Sequence, residues 1–102
     1  MTEKGKRGVK GLNITKLPYE IKVYMNNQVL IPAQLVRTMG LTDATYSKIT
    51  FEYNNKVYNI QVKLLRTKYT DSRQFTIPKD IRMKAGLRPG KTIKVLNIEK
   101  IK

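Results

Sequence analysis

The chain of 102 residues contains no cysteine, no histidine and no tryptophan. Without cysteine there can be neither a disulfide framework nor a thiolate metal site. Without histidine the usual general base, proton shuttle and zinc ligand are missing. The seven acidic residues show no pair with the spacing of a metal or acid–base site. We therefore expect a protein that is not an enzyme and that uses no metal or other cofactor.

Long apolar runs are also missing from the sequence. No segment reaches the length of a membrane span or of a signal-peptide core. No basic amphipathic helix with large apolar residues is present, which argues against a membrane-surface role. A chain of this length has room for one small domain with a modest core. We expect a soluble, cytoplasmic protein with no membrane partner.

Acidic residues are scarce relative to basic ones. Lysine and arginine number 21 against seven aspartate and glutamate residues, which gives a net charge of +14. A lysine-rich surface of the thermophilic type would carry matching glutamate in ion-pair networks, and here that glutamate is missing. A surplus of this density is typical of proteins that contact a polyanion, most often DNA or RNA.

The surplus charge is distributed unevenly along the chain. Residues 1–18 carry a net charge of +4, residues 19–56 carry +1, and residues 57–102 carry +9. One part of the chain is therefore nearly neutral, and the C-terminal part is heavily cationic. This contrast predicts that one half contacts phosphate and that the other is mainly structural.

A segment of the sequence occurs twice, 46 positions apart. Residues 75–87 repeat the pattern of residues 29–41, and each copy follows a glutamine. An Ile-Pro pair and a Gly-Leu pair fall in register in both copies. A repeat this short cannot bury a core of its own, so we expect the two copies to fold against each other as one pseudo-symmetric unit.

Each copy predicts a strand, a short helix that starts at proline, a glycine stop and a further strand. Pro32 and Pro78 suit the first position of a helix. Gly40 and Gly86 suit the left-handed residue that follows one. The apolar residues of the two predicted helices are Leu35, Val36 and Met39 in the first copy, and Ile81 and Ala85 in the second. Strands are predicted over residues 20–24, 29–31, 48–53, 57–65 and 92–99. Tyr46, Tyr53 and Tyr58 are expected to fill the core or its edge.

Three turns have clear signals. Asn26-Asn27 and Asn54-Asn55 suit tight turns with positive dihedral angles. Pro89-Gly90 occupies the two central positions of a type II turn. The N-terminal residues 1–16 contain three glycines and five cations with no usable period, which predicts a flexible basic arm. Residues 17–102 are predicted to form a single folded unit, with half-repeats at 19–56 and 57–100.

The second copy carries a family resemblance. The run from Phe75 through Ile77-Pro78, Gly86-Leu87 and Pro89-Gly90 to Val95-Leu96 resembles the swapped-hairpin motif of the AbrB/SpoVT (MazE-like) family. Lys91 stands where that motif usually has aspartate. The first copy matches over residues 29–41 and then departs.

The resemblance implies a mainly β fold with two short helices. In that family two half-barrels exchange hairpins to form a small β-barrel, usually between two chains. Here both half-repeats lie on one chain, so we expect a monomeric pseudo-dimer, or a homodimer of such chains. Antitoxins of this kind carry a C-terminal tail that wraps the toxin. The last predicted strand ends close to Lys102, so we do not expect an antitoxin.

Many relatives in the family bind DNA through basic residues on the loop before the Ile-Pro strand. By position, that loop is residues 66–74 in the second half and residues 25–28 in the first, and only the second contains arginine. Tyr69 lies inside the basic loop, where stacking on a base is credible. The residues predicted to contact nucleic acid are Arg66, Lys68, Tyr69, Arg73, Lys79, Arg82, Arg88 and Lys91, together with Lys4, Lys6, Arg7 and Lys10 of the arm.

The choice between DNA and RNA stays open at the level of sequence. The resemblance favours duplex DNA, bound by a transcription regulator or a chromatin-type protein associated with the nucleoid. The unequal halves and the Gly/Lys arm also suit a ribosomal protein that binds an asymmetric rRNA surface. A symmetric DNA operator favours two equivalent reading elements, and this chain offers one strong loop and one weak loop.

Overall fold

The computed structural model of the protein describes residues 14–101. In chain order the elements are β1 (Tyr19–Lys22), β2 (Gln28–Ile31), α1 (Ala33–Thr38), β3 (Tyr46–Tyr53), β4 (Lys56–Lys63), β5 (Leu65–Arg66), β6 (Arg73–Thr76), α2 (Lys79–Ala85) and β7 (Thr92–Ile101). The predicted mainly β fold with two short helices is confirmed.

The strands follow the alternation of their side chains. In β4, Ile60 and Val62 are buried, whereas Asn59 and Gln61 between them are exposed. The turns adopt the predicted geometry as well. Asn27, Asn54 and Asn55 have positive φ angles of 64°, 55° and 67°, which asparagine tolerates better than most residues.

The two helices begin one residue later than predicted. Pro32 and Pro78 have ψ angles of 148° and 146°, so each is the extended residue before the helix and not its first helical residue. The expectation was wrong by one position because proline fixes φ but leaves ψ free. Gly86 ends α2 in the left-handed conformation, with φ at 69°, as predicted.

The strands form two antiparallel sheets. The larger sheet has the order β1-β7-β3-β4, and the smaller has the order β2-β6-β5. Most neighbours within the sheets are far apart in sequence, since β1 pairs with β7 and β2 pairs with β6. The two repeat copies therefore supply adjacent strands to both sheets.

The pairing register relates the two halves by a local two-fold. In the smaller sheet, Val29 pairs with Phe75, which is its own counterpart in the repeat. The pairs on either side of it are Gln28–Thr76 and Leu30–Gln74. Gln28 is the counterpart of Gln74, and Leu30 is the counterpart of Thr76, so the two pairs are equivalent. In the larger sheet, β3 and β7 are also counterparts and pair along their length, with a register shift between Thr50 and Phe51.

One hydrophobic core lies between the sheets and the helices. It includes Phe51 and Phe75, both fully buried, and Leu35 and Val36 from α1. The hydroxyl of Tyr19 on β1 donates a hydrogen bond of 2.9 Å to the carbonyl of Leu30 on β2, so it joins the two sheets. Burial raises the pKa of this phenol above its ordinary value.

Two expectations need correction at the edges of the fold. The predicted arm of residues 1–16 is too long, because Ile14 already packs against the core, as does Leu17 at the predicted start of the folded unit. Residues 1–13 lie outside the described part of the chain. Tyr46 was expected in the core or at its edge, but half of its side chain is exposed. Tyr53 and Tyr58 are partly buried as expected, and the Tyr58 ring stacks on Phe51 at 5.4 Å.

Candidate nucleic-acid interface

The loop of residues 66–73, called the basic loop from here on, is held together by side-chain hydroxyls. The hydroxyls of Thr67, Thr70 and Ser72 lie within 2.6–2.7 Å of one another. The backbone N–H of Ser72 also donates to the Thr70 hydroxyl at 3.1 Å. These short-range hydrogen bonds take the place of a regular ladder in residues 67–72, which belong to no strand.

Arg73 is a buried clamp and not a surface cation. Its side chain is only 1% exposed. One terminal nitrogen donates to the carbonyls of Asp71 and Ser72, at 2.6 and 3.1 Å, and the other donates to the carbonyl of Thr42 at 2.8 Å. The prediction that Arg73 contacts nucleic acid was therefore wrong. Its guanidinium supplies the donors that the sharply turned backbone of the loop needs, and these carbonyls hold it in the interior.

Other charged and aromatic residues of the loop are exposed. Arg66 and Lys68 are exposed, and the side chain of Tyr69 is 98% exposed. Tyr69 also has a φ angle of 69°, a left-handed conformation that is rare for a bulky residue. The loop thus directs two cations and an aromatic ring towards solvent.

Two further cations, Arg37 and Lys63, lie beside the loop and were not among the predicted contacts. Arg37 on α1 donates to the carboxylate of Asp71 at 3.0 Å, and both side chains are about half exposed. Lys63 at the end of β4 lines an open cleft together with Arg66. Arg37 could not be found from spacing alone, because it comes from the opposite half-repeat, 34 positions from Asp71.

The predicted residues on α2 lie at the other end of the smaller sheet. β6 ends at Thr76, which pairs with Gln28, and the N–H of Ile77 donates to the carbonyl of Asn27 at 3.0 Å. The helix therefore begins beside residues 25–27. Its first residue, Lys79, is exposed.

Arg82 on the same helix is half-buried, and its Nε donates to the carbonyl of Ile77 at 3.0 Å. This bond ties the stem of the guanidinium to the start of the helix. The terminal nitrogens form no hydrogen bond to any other residue within 14–101 that meets the usual distance and angle limits.

Arg88 and Lys91 also belong to that end. They flank the Pro89-Gly90 turn, whose Gly90 N–H donates to the carbonyl of Val23 at 2.8 Å. The N–H of Val23 in turn donates to the carbonyl of Lys91 at 2.9 Å. Arg88 and Lys91 were predicted to contact nucleic acid together with residues of the basic loop, but the turn between them packs against residues 22–26 of the first half.

The predicted cations therefore form two groups. β2 begins directly after residues 25–27, β6 begins at the end of the basic loop, and the two strands are antiparallel. The two loops thus flank opposite ends of a four-residue ladder, which is about 10 Å long. Arg66, Lys68 and Tyr69 lie at one end, and Lys79, Arg82, Arg88 and Lys91 lie at the other. Lys4, Lys6, Arg7 and Lys10 lie outside the described residues.

Few of the described cations are neutralised by acidic partners. Within residues 14–101 the ion pairs are Arg37–Asp71 and Lys100–Asp43, at 3.0 and 2.9 Å. The hydrogen bond and the charge of Lys100 hold the pKa of the Asp43 carboxyl below its ordinary value. Arg66, Lys68, Lys79, Arg88 and Lys91 are exposed and have no carboxylate of the described chain within ion-pair distance.

Other kinds of site find little support in this part of the molecule. Among residues 14–101, no three aspartate or glutamate side chains come close enough to hold a metal ion. None of the helices over the same range has the length and apolar character needed to cross a membrane.

Comparison with known proteins identifies no relative: no protein-family model matches the chain, and neither a curated protein nor a solved structure matches it.

Proposed function

We propose that the protein is a non-catalytic nucleic-acid-binding protein that holds a phosphate backbone with the basic loop. The observation that carries this proposal is the loop itself. Its backbone is fixed by a buried arginine and three hydroxyls, and it presents Arg66, Lys68 and Tyr69 to solvent. A fold that needed this loop only as a connection would gain nothing from exposed cations on a rigid support.

Duplex DNA is the first candidate for the bound polyanion. The local two-fold through Val29 and Phe75 supports a swapped-hairpin barrel built from two half-repeats of one chain. A duplex backbone also has local two-fold symmetry, and the two loops flank the protein's axis. The basic loop would contact one strand, while Arg88 and Lys91 near the other loop would provide a weaker second contact.

Structured RNA is the second candidate, and one observation favours it. Tyr69 presents almost its whole ring to solvent in the same loop as the exposed Arg66 and Lys68. Sequence-specific RNA binding commonly uses aromatic side chains that stack on unpaired bases, with nearby cations on the phosphates. A ribosomal protein would use the same loop against a single fixed rRNA surface.

The salt dependence of binding tests the proposal. We expect the wild-type chain to bind a fluorescein-labelled 20-base-pair duplex, with log K falling linearly against log salt concentration. Replacing Arg66 and Lys68 together by alanine should lower the magnitude of the slope by about 1.8, since each phosphate contact contributes about 0.9. Fluorescence anisotropy at several salt concentrations measures both quantities.

The matched control removes two exposed lysines from the larger sheet. Lys48 on β3 and Lys56 at the start of β4 are both exposed and lie outside the basic loop. Replacing both by alanine lowers the net charge by the same amount and should leave the slope nearly unchanged. Equal slopes for the two double variants would remove the basic loop from the interface. Absence of binding by the wild-type chain at low salt would overturn the proposed function.

A further inference from the structure

Tyr69 contributes nothing visible to the stability of the fold. Its side chain is 98% exposed, the largest exposed fraction among the large apolar residues of the described chain. Its φ of 69° is a strained conformation for a residue of this size. Strain of this kind persists only where the surrounding structure enforces it, and it occurs most often at sites that bind or react.

The surrounding structure does enforce this conformation. On the C-terminal side of Tyr69, which forms the tip of the loop, Arg73 donates to the carbonyls of Asp71, Ser72 and Thr42. Beside the tip, the hydroxyls of Thr67 and Thr70 approach within 2.7 Å. A loop already fixed in this way loses little further conformational entropy when a ligand binds.

The chemistry of the tip indicates which ligand it suits. Lys68 precedes the ring and Arg66 begins the loop, and both are exposed. An exposed aromatic ring that follows exposed cations in one loop matches a base stacked on the ring with the adjoining phosphate on the cations. Bases within an intact duplex are already stacked on their neighbours, so the ring needs a base that has left the stack or a step that opens to admit it.

We propose that Tyr69 stacks on an unpaired or extruded nucleobase, so that the basic loop selects nucleic acid that contains such a base over a fully paired duplex. This inference rests on the proposed function and adds the class of substrate that the loop prefers. The cations supply affinity for any phosphate backbone, and the ring supplies the preference.

The test compares two labelled duplexes of the same 20 base pairs, one fully paired and one with a single extra unpaired base at its centre. The extra base is 2-aminopurine, whose fluorescence falls when an aromatic ring stacks on it. We expect the wild-type chain to bind the bulged duplex about tenfold more tightly and to quench the probe, because base–aromatic stacking changes affinity by roughly that factor or more.

Three variants separate the ring from the loop. Tyr69→Asn removes the ring but tolerates the positive φ, so the loop should keep its shape. We expect it to lose the tenfold preference and the quenching while it keeps the salt slope. Tyr69→Phe should retain both effects, because it keeps the ring. Met25→Ala is the matched control, since Met25 is 90% exposed on the other loop, and it should behave like wild type.

The outcomes distinguish this inference from the proposed function. Equal affinity of wild type for the two duplexes, or a preference that survives in Tyr69→Asn, would overturn the stacking role and leave the phosphate contacts standing. Absence of binding to either duplex would overturn both. Urea unfolding of each variant checks that the compared chains are equally folded.

Discussion

The loop of residues 25–27 and the basic loop connect equivalent strands and yet have little else in common. The N–H of Val23 before the first loop donates to the carbonyl of Lys91, at 2.9 Å. The N–H of Leu64 before the second donates to Thr45, the repeat counterpart of Lys91, at 2.8 Å. One scaffold therefore carries a three-residue neutral loop on one side and an eight-residue cationic loop on the other.

The helices beside the loops repeat the contrast. Arg37 of α1 lies against the basic loop and forms an ion pair with Asp71. Met83, its counterpart on α2, is 73% exposed, and Met25 on the nearby loop is 90% exposed. The loop at one end of the smaller sheet is therefore cationic and braced. The loop at the other end is neutral and has methionines exposed beside it, although Lys79, Arg88 and Lys91 are also exposed there. The two half-repeats share the arrangement of their strands. The side chains of the loops and helices make the two ends of the smaller sheet different.

Replacing the basic loop by residues 25–27, its counterpart in the first half, removes the difference between the two loops. This exchange should have the largest effect on binding. We expect a chain with Met-Asn-Asn in place of residues 66–73 to fold and to lose about 100-fold in affinity for the bulged duplex. The exchange removes two surface cations and the stacking ring at once. Fluorescence anisotropy measures the affinity, and far-ultraviolet circular dichroism checks the fold.

A same-length variant serves as control for the exchange. Replacing Arg66 and Lys68 by glutamine keeps the loop, its clamp and Tyr69, so it should lose only part of the affinity. An exchanged chain that binds as tightly as wild type would show that the two ends of the sheet are equivalent in binding.

Removing the buried clamp should have the next largest effect. We expect Arg73→Met to lower the free energy of unfolding by about 3 kcal/mol, because three carbonyls lose the charged donor that binds them. Its repeat counterpart is Asn27, so the first half has no such clamp. Urea unfolding measures the change. Arg66→Met, which alters an exposed arginine of the same loop, should cost less than about 0.5 kcal/mol. Equal losses in the two variants would contradict the role assigned to Arg73.

A smaller effect should come from removing the Tyr19 hydroxyl, which joins the two sheets. Tyr19 and Ile60 occupy equivalent core positions, since Tyr19 pairs with Val95 and Ile60 pairs with Ile49, the counterpart of Val95. We expect Tyr19→Phe to lose about 1 kcal/mol near neutral pH, the usual value of one hydrogen bond.

The same substitution should change the response to alkali. Because burial raises the pKa of Tyr19, the folded state keeps the neutral phenol at a pH where the unfolded chain ionises. The stability is therefore intact below about pH 10 and falls above it, by about 1.4 kcal/mol per pH unit from this group. Unfolding curves between pH 9 and 11 measure the difference between wild type and Tyr19→Phe. Curves that stay parallel over this range would count against burial of a neutral phenol.

Much of the fold could be predicted because the signals were local. The asparagine turns, Gly86 and the alternation in β4 follow from the conformational limits of single residues and from strand periodicity. The position of the prolines was missed by one residue, since proline fits both the first helical position and the residue before it. The packing of Ile14 against the core was missed because a single apolar residue among polar ones has no period.

The site was harder to predict because it depends on contacts between the halves. Arg73 looked like its neighbours in the sequence, and only the surrounding carbonyls of Thr42 and Ser72 make it interior. Arg88 and Lys91 belong to the cationic half, but antiparallel pairing carries them to the far end of the smaller sheet. Composition identified a basic half, whereas register decided which of its cations share a surface.

The pairing of β1 with β7, of β2 with β6 and of β3 with β7 has a consequence for how the chain acquires its shape. A fragment that ends near Asn54-Asn55 would leave each of its three strands without a neighbour, so we expect that it cannot fold separately. The native ladders require the first and last quarters of the chain to meet, which slows folding relative to proteins built from local hairpins.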